Sequence, residues 1–204
     1  MEYPNDFCAI TEIRPDRFHQ TKLSVHTFIK HNQWFDGVLL ILSLGNSSLL
    51  MEQRLELNLI YDRIEIIEVD PAELDVLKKK AQRFKPDSAD LHDYLYTLVF
   101  KIKSRGNLYF SSSVIFNKSA DLYLDQNQAT FARKTGSFPT GSGYEINLAA
   151  FYIPGSLTSD LLYKTVINRL KSHKNISHMS SDSIIRSLQE NNISIKYLNK
   201  IGMY

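Results

Sequence analysis

One cysteine in 204 residues, Cys8, excludes an internal disulfide and a zinc site built from cysteines. Its apolar setting, "FCAI", suits a packed thiol better than a nucleophile, because free cysteine behaves as a small hydrophobe. No apolar run approaches the ~18 residues that span a bilayer. The longest, "VLLILSL" at 38–44, has the length of a strand. The N-terminal "MEYPNDF" lacks the basic and apolar regions of a secretory signal. Charge of one sign is missing too: 24 basic residues face 22 acidic ones, a net +2 dispersed along the chain. A nucleic-acid binder concentrates its basic residues in a stripe, so that class is set aside. The expectation is a soluble α/β protein of the cytoplasm or the inner face of the membrane, with 43% hydrophobic residues for a core.

Familiar catalytic patterns are also absent. The histidines are scattered, and His26 and His31 are five apart rather than at the i, i+4 spacing of a zinc-binding helix. In "GSFPTGSG" the glycines at 136 and 141 are spaced as in a phosphate-binding loop. Ser-Gly follows Gly141 where Lys-Ser/Thr is needed, and no strand-to-helix junction surrounds it. The segment reads as a surface loop in which Arg133 and Lys134 could close over an anionic substrate. "YFSSSV" contains no G-x-S-x-G elbow, which argues against a serine hydrolase.

What is present is an alternation of strand and helix patterns. "FCAITE" (7–12), "GVLLILSL" (37–44) and "RIEIIEV" (63–69) read as strands. Between them "TKLSVHTFIKHN" carries Leu23, Val25, Thr27, Phe28 and Ile29 as a helix face. "SSLLMEQRLELNLIY" carries Leu49, Leu50, Leu55 and Leu59, with Ser47 or Ser48 as N-cap. The β-α-β-α-β order predicts a doubly wound, parallel sheet. The polar 70–90, with "KKKAQR", reads as a solvated helix face, and a helix over 88–103 leads into a buried strand over 106–116. That strand carries Tyr109, Phe110 and Phe116 as core residues and three consecutive serines at its exit, where open α/β sheets place their ligands. A loop is predicted over 125–143, then a strand "YEINLAAFYI", helices over 156–173 and 180–192 with Asn191 or Asn192 as exit residue, and a last strand "ISIKYLN".

"HTFIKHNQWFDGVLLI" resembles the first helix and second strand of GT-A glycosyltransferases. The family is the retaining one that contains glycogenin and the lipooligosaccharide galactosyltransferases, with their capsule- and surface-polysaccharide relatives. Its "K-x-N-P-W-F-x-G" corresponds here to Asn32, Gln33, Trp34, Phe35, Asp36 and Gly37. "NLYFSSSVIF" resembles the family's "V-L-Y-L-D-x-D-x-L-V", "GYEINLAAFYI" its "F-N-x-G-V-x-L-I", and "SSDSIIRSLQENN" its "D-Q-D-x-L-N" helix. The resemblance implies a single GT-A (Rossmann-like) domain over 1–204, with a mostly parallel central sheet flanked by helices.

The resemblance also implies a site. Thr11, Glu12, Arg14 and Asp16 fall in the nucleotide loop, Asn147 matches the family's asparagine, and Asp182 is the surviving acid expected to be catalytic. Ser111 and Ser113 stand where the family has the two aspartates of its D-x-D, which hold a divalent cation on the donor diphosphate. Hydroxyls offer Mg²⁺ or Mn²⁺ little affinity, and the chain ends at Tyr204, before the family's C-terminal "H-x-x-G-x-x-K-P-W" would begin. No metal cofactor is expected. Basic residues ahead of the D-x-D support the phosphates in the family; here Lys101 and Lys103 stand nearby.

Two functions compete. One is a transferase that moves a sugar from a nucleotide-sugar donor to a saccharide acceptor in surface polysaccharide synthesis. Arg14, Arg133 and Lys134 would neutralise the diphosphate in place of a metal. The other is a catalytically degenerate GT-A module that binds a protein partner or further copies of itself. An unrelated α/β hydrolase or nucleotide-binding protein would require the "HNQWFDG" match to be accidental.

Overall fold

The segment "VLLILS" is apolar almost throughout because the strand it forms, β2 (Val38–Ser43), is buried along its whole length. Covering both faces of a sheet removes the polar alternation of a half-exposed strand. The computed structural model describes residues 2–13, 15–44, 49–70, 91–121, 124–133, 146–171 and 181–198. In chain order they form β1 (Glu2–Ile13), a 3-10 turn (Pro15–Arg17), α1 (Phe18–His31), β2, α2 (Met51–Asn58), β3 (Ile64–Glu68), α3 (Leu91–Phe100) and β4 (Lys103–Phe110). β5 (Gln128–Arg133), β6 (Ile146–Pro154), α4 (Gly155–Lys171), α5 (Ser181–Glu190) and β7 (Ser194–Leu198) follow.

The strands make one seven-stranded sheet in the order β3-β2-β1-β4-β6-β5-β7. β1 lies parallel to β2 and β4, and β2 parallel to β3. Only β6 runs against its neighbours, antiparallel to both β4 and β5, while β5 and β7 are parallel. All strands except β6 therefore end at the same edge. The expected α/β fold with a mostly parallel sheet and flanking helices is what the chain adopts.

Alternate strand residues feed two cores. Cys8, Ile10, Leu40, Tyr109 and Phe151 pack on the face covered by α3, α4 and α5. Ala9, Ile13, Leu39, Ile41 and Phe110 pack on the face covered by α1, where Phe28 stacks on Phe110 with ring centroids 4.9 Å apart. Tyr109, Phe110 and Phe116 are core residues, as expected. Cys8 is wholly buried, and burial pushes its thiol up to about 12, which makes it inert at neutral pH.

Several local expectations are corrected. β1 starts at Glu2 because Glu2 and Tyr3 add a second stretch of pairing with Lys103 and Ser104 of β4. α1 starts at Phe18, and Leu23 is 48% exposed while Val25 and Phe28 are buried, so the apolar stripe is narrower than its composition suggests. α2 begins at Met51 with Leu50 at the cap position; Ser47 and Ser48 lie outside the described residues. Of the predicted stripe Leu49 is buried as expected, whereas Leu50, Leu55 and Leu59 face outward, Leu59 at 88% exposure, and Leu57 joins the core in their place. The segment 71–90 lies outside the described residues, as does the glycine-rich 134–141. β5 falls inside the predicted loop 125–143: "QATFAR" is short, and only its pairing between β6 and β7 reveals it.

The exit residue of α5 was legible. Asn192 has φ 57°, Ile193 N–H reaches Leu188 O at 2.9 Å and Asn192 N–H reaches Gln189 O at 3.0 Å. This is the Schellman pattern, in which a left-handed residue lets two orphan carbonyls be satisfied. Asn tolerates that backbone better than other non-glycine residues, which lose roughly 1–2 kcal/mol there. Asn192→Gly is therefore expected to leave the urea midpoint unchanged or slightly raised, and Asn192→Ala to lower stability by about 1 kcal/mol.

Candidate functional site

β4 ends at Phe110, and the next residues turn rather than continue the predicted strand to 116. Val114 N–H bonds back to Ser111 O at 2.9 Å. The turn Ser111–Ser113 therefore sits at the carboxyl edge of the sheet. In the parallel pairing of β1 with β4, Ile10 lies opposite Tyr109, so Glu12 falls level with Ser111.

Glu12 is the hub of this edge. It is only 6% exposed, and its carboxylate accepts four hydrogen bonds. Oε1 accepts from Ser111 Oγ at 2.9 Å, from Ser112 N–H at 2.9 Å and from Ser112 Oγ at 3.0 Å. Oε2 accepts from the Tyr109 hydroxyl at 2.9 Å. A buried carboxylate is tolerable only when its lone pairs are used in this way. Burial, reinforced by the charge of Glu12, pushes the Tyr109 phenol well above its ordinary value and keeps it a donor. Ser113 Oγ, on the exposed side, lies 3.1 Å from Ser111 Oγ.

The other wall is a bulge in β6. Phe131 pairs with Phe151 but Ala132 pairs with Asn147, so residues 148–150 loop out of the β5 ladder. Bulges of this kind recur beside functional sites, where they redirect a strand. Asn147 Oδ1 accepts from Ala149 N–H at 2.9 Å, Ala149 O accepts from Ser111 N–H at 2.7 Å, and Leu148 O accepts from the Tyr96 hydroxyl at 3.3 Å. The bulge is thus tied to the serine turn through its own backbone.

The chain beyond the turn is held by the "HNQWFDG" stretch. Asn32 is buried, its Oδ1 accepting from Ser119 Oγ at 3.3 Å and from Trp34 Nε1 at 3.2 Å, while Trp34 Nε1 also donates to Ser119 Oγ at 2.8 Å. Thr27 Oγ1 accepts from Phe116 N–H at 3.2 Å. α1 and its exit therefore clamp residues 116–120 and with them the turn.

The predicted site residues are partly brought together. Glu12, Ser111, Ser113 and Asn147 meet at one edge, and Arg133, opposite Ile146 at the end of β5, joins that edge from the far side of the bulge. Asp182 lies in the first turn of α5, which returns the chain to the start of β7 and so begins at the same edge; its side chain is outside the described residues. Asp16 is exposed in the 3-10 turn after β1. Arg14 and Lys134 are outside the described residues. Thr11 is fully buried on the α1 face, and its Oγ1 has no hydrogen-bond partner among the described residues, so its side chain is closed to a ligand. Lys103 opens β4 at the opposite edge, 3.9 Å from Glu2 and 3.8 Å from Asp160, too far along the strand to serve the turn. That Ser112 and Tyr109 bond to Glu12 was not foreseen, because nothing local marks the middle serine or a core tyrosine as its partner.

The donor set at the turn does not suit a divalent cation. Such ions want anionic oxygens with free lone pairs. Those of Glu12 are engaged by four donors, and Ser111 and Ser113 are neutral. Among the described residues no three His, Cys, Asp or Glu side chains gather in a metal-holding group. No helix among them is long and apolar enough to cross a membrane.

No protein-family model matches the chain. No curated protein matches its sequence. Its fold, however, is similar to that of solved glycosyltransferases. Galactosyltransferase LgtC, in complex with donor and acceptor sugar analogues, shares 12% identity over 94% of this chain and 73% of its own, with a TM-score of 0.65. Core-mannan synthase A of Aspergillus fumigatus, in a Mn/GDP form, shares 7% identity over 98% of this chain and 74% of its own, also at 0.65. Glycosyltransferase GlyE of Streptococcus pneumoniae TIGR4 shares 14% over 96% of this chain and 45% of its own, at 0.59. The fold is that of the GT-A glycosyltransferases.

Proposed function

We propose that this chain is a sugar transferase that binds a nucleotide-sugar donor and a saccharide acceptor at the carboxyl edge of its sheet, without a metal on the serine turn. The observation that carries the reading is the assembly of Glu12, the Ser111–Ser113 turn and the β6 bulge at that edge of a GT-A fold. Open α/β sheets bind ligands just outside the carboxyl ends of their strands. Support for the reading comes from the similarity of the fold to that of LgtC, a galactosyltransferase solved with donor and acceptor sugar analogues.

In this reading the donor diphosphate is neutralised by guanidinium and ammonium groups, with Arg14, Arg133 and Lys134 as the candidates. Fixed cations can stabilise a leaving phosphate electrostatically, as a metal would. Asp182, at the start of α5, stands by the acceptor or the developing positive charge on the sugar. The donor base and sugar, and the use of the product in surface polysaccharide, extend the same proposal.

Calorimetric titration with UDP, GDP and CDP, each with and without Mn²⁺, tests it. One nucleotide is expected to bind with a dissociation constant that Mn²⁺ changes by less than about two-fold, since the metal would add no contact. Binding that appears only with Mn²⁺ would overturn the metal-free part. Failure of all three under both conditions would overturn the transferase reading and leave a degenerate binding module.

A further inference from the structure

Hydrogens at the serine turn can be assigned, because a carboxylate accepts hydrogen bonds and never donates them. Ser111 has one hydroxyl hydrogen, and it is directed at Glu12 Oε1, 2.9 Å away. With the Ser111 hydrogen on Glu12, the hydroxyl of Ser113 is assigned as the donor in its 3.1 Å contact with Ser111 Oγ, which the Ser113 N–H also faces at 3.4 Å. The Ser112 hydroxyl and N–H are spent on Glu12 as well. The hydroxyl hydrogens of the turn therefore point inward, in a chain that runs from Ser113 to Ser111 to the carboxylate. Ser113 is the exposed member, and what it turns toward solvent is its lone pairs.

Such a surface discriminates. A phosphate oxygen is an acceptor carrying negative charge. It would meet lone pairs backed by a buried carboxylate, with no divalent ion between them. A sugar hydroxyl is a neutral donor, and a hydroxyl chain ending on a carboxylate is polarised cooperatively, which strengthens its outermost oxygen as an acceptor. We infer that Ser113 forms a saccharide-hydroxyl subsite, accepting an O–H of the sugar, and that the diphosphate lies away from the serine turn. Glu12 and Ser111 act through Ser113 as positioning residues: they set the direction of its hydrogen and touch no ligand. This rests on the sugar-transfer reading of the site.

The test compares a nucleotide with its sugar-bearing form, which isolates the sugar's share of binding. Calorimetry is run with UDP against UDP-glucose and UDP-galactose, and with GDP against GDP-mannose, on the wild-type chain, Ser113→Ala and Ser113→Thr. In Ser113→Ala the affinity of the sugar nucleotide is expected to fall roughly five-fold, the worth of one hydrogen bond, while that of the parent nucleotide stays unchanged. Ser113→Thr, which keeps the hydroxyl, should restore the ratio. Ser113 is exposed and outside the core, and unchanged melting curves for both variants will show that folding is not the cause. Equal weakening of UDP and UDP-sugar by Ser113→Ala would mean that the turn holds the phosphates, and it would overturn this subsite while leaving the transferase reading intact. Insensitivity of the ratio to Ser113→Ala would overturn it too. If neither nucleotides nor sugar nucleotides bind the wild-type chain, the transferase reading fails and the subsite fails with it.

Discussion

Glu12→Ala should lower the thermal midpoint by about 10 °C, the counterpart of about 3–5 kcal/mol in a domain of this size. Deleting the carboxylate relieves its own desolvation, which works in favour of the variant. It also strands the Tyr109 hydroxyl, the Ser111 and Ser112 hydroxyls and the Ser112 N–H, all four aimed at atoms that no longer exist. Each buried donor left without a partner costs about 1–3 kcal/mol, so four of them outweigh the relief even if water reaches some. Tyr109 is the worst placed, because it is fully buried beneath Tyr96 and Phe151 and cannot turn to solvent. Glu12→Gln separates the two halves of the hub. Its carbonyl can still accept from the serine turn while its amide faces Tyr109, so a smaller loss of about 1–2 kcal/mol is expected. Differential scanning calorimetry on the three proteins checks this. An alanine variant as stable as the wild type would mean that the carboxylate does not organise the turn.

Gly37→Ala is expected to destabilise by about 3–4 kcal/mol, beyond the ordinary range for a methyl group added to a packed interior. A Cβ on Gly37 would lie 1.9 Å from Phe7 O, 2.9 Å from Phe7 C and 3.0 Å from Phe35 Cε2. The nearest obstacles are backbone atoms of β1, not the end of a flexible side chain. Relief would require β1 and β2 to separate where their pairing begins, at Cys8 and Val38. It would also disturb the Tyr61 hydroxyl, which donates to Gly37 O at 2.7 Å. Urea unfolding provides the measure: a midpoint within error of wild type would mean the strands part easily at this end. The glycine of the "HNQWFDG" stretch thus has a steric reason that does not depend on any ligand.

Much of the fold was legible because the signals that make it are local. Apolar runs such as "VLLILS" read as buried strands. Glycine and asparagine mark exits such as Asn192, and the β-α-β-α-β order restricts the sheet to a parallel core. α2 misled, because leucines at helical spacing say that a helix has an apolar stripe and not which stripe meets the sheet. Leu49 and Leu57 are buried, and Leu50, Leu55 and Leu59 are not. β5 was invisible for a related reason: its polar ends and short length look like a loop until β6 and β7 pair on either side.

The site divides along the same line. By itself the sequence determined that three serines follow a buried strand at the carboxyl edge of an α/β sheet, since both facts lie within one short stretch. Resemblance to the GT-A family marked Glu12 and Asn147 as candidates, and the glycine-rich loop marked Arg133, each in a separate segment. Only the tertiary structure decided that Glu12 is the partner of those serines rather than a free acid facing a nucleotide, and that Thr11 beside it is sealed under α1. The reason is the geometry of strands. Neighbouring residues point to opposite faces, so the fates of Thr11 and Glu12 depend on which face each core occupies. Glu12 and Ser111 stand 99 positions apart in the chain, and only the parallel register of β1 against β4 brings a carboxylate level with hydroxyls that no local pattern connects to it.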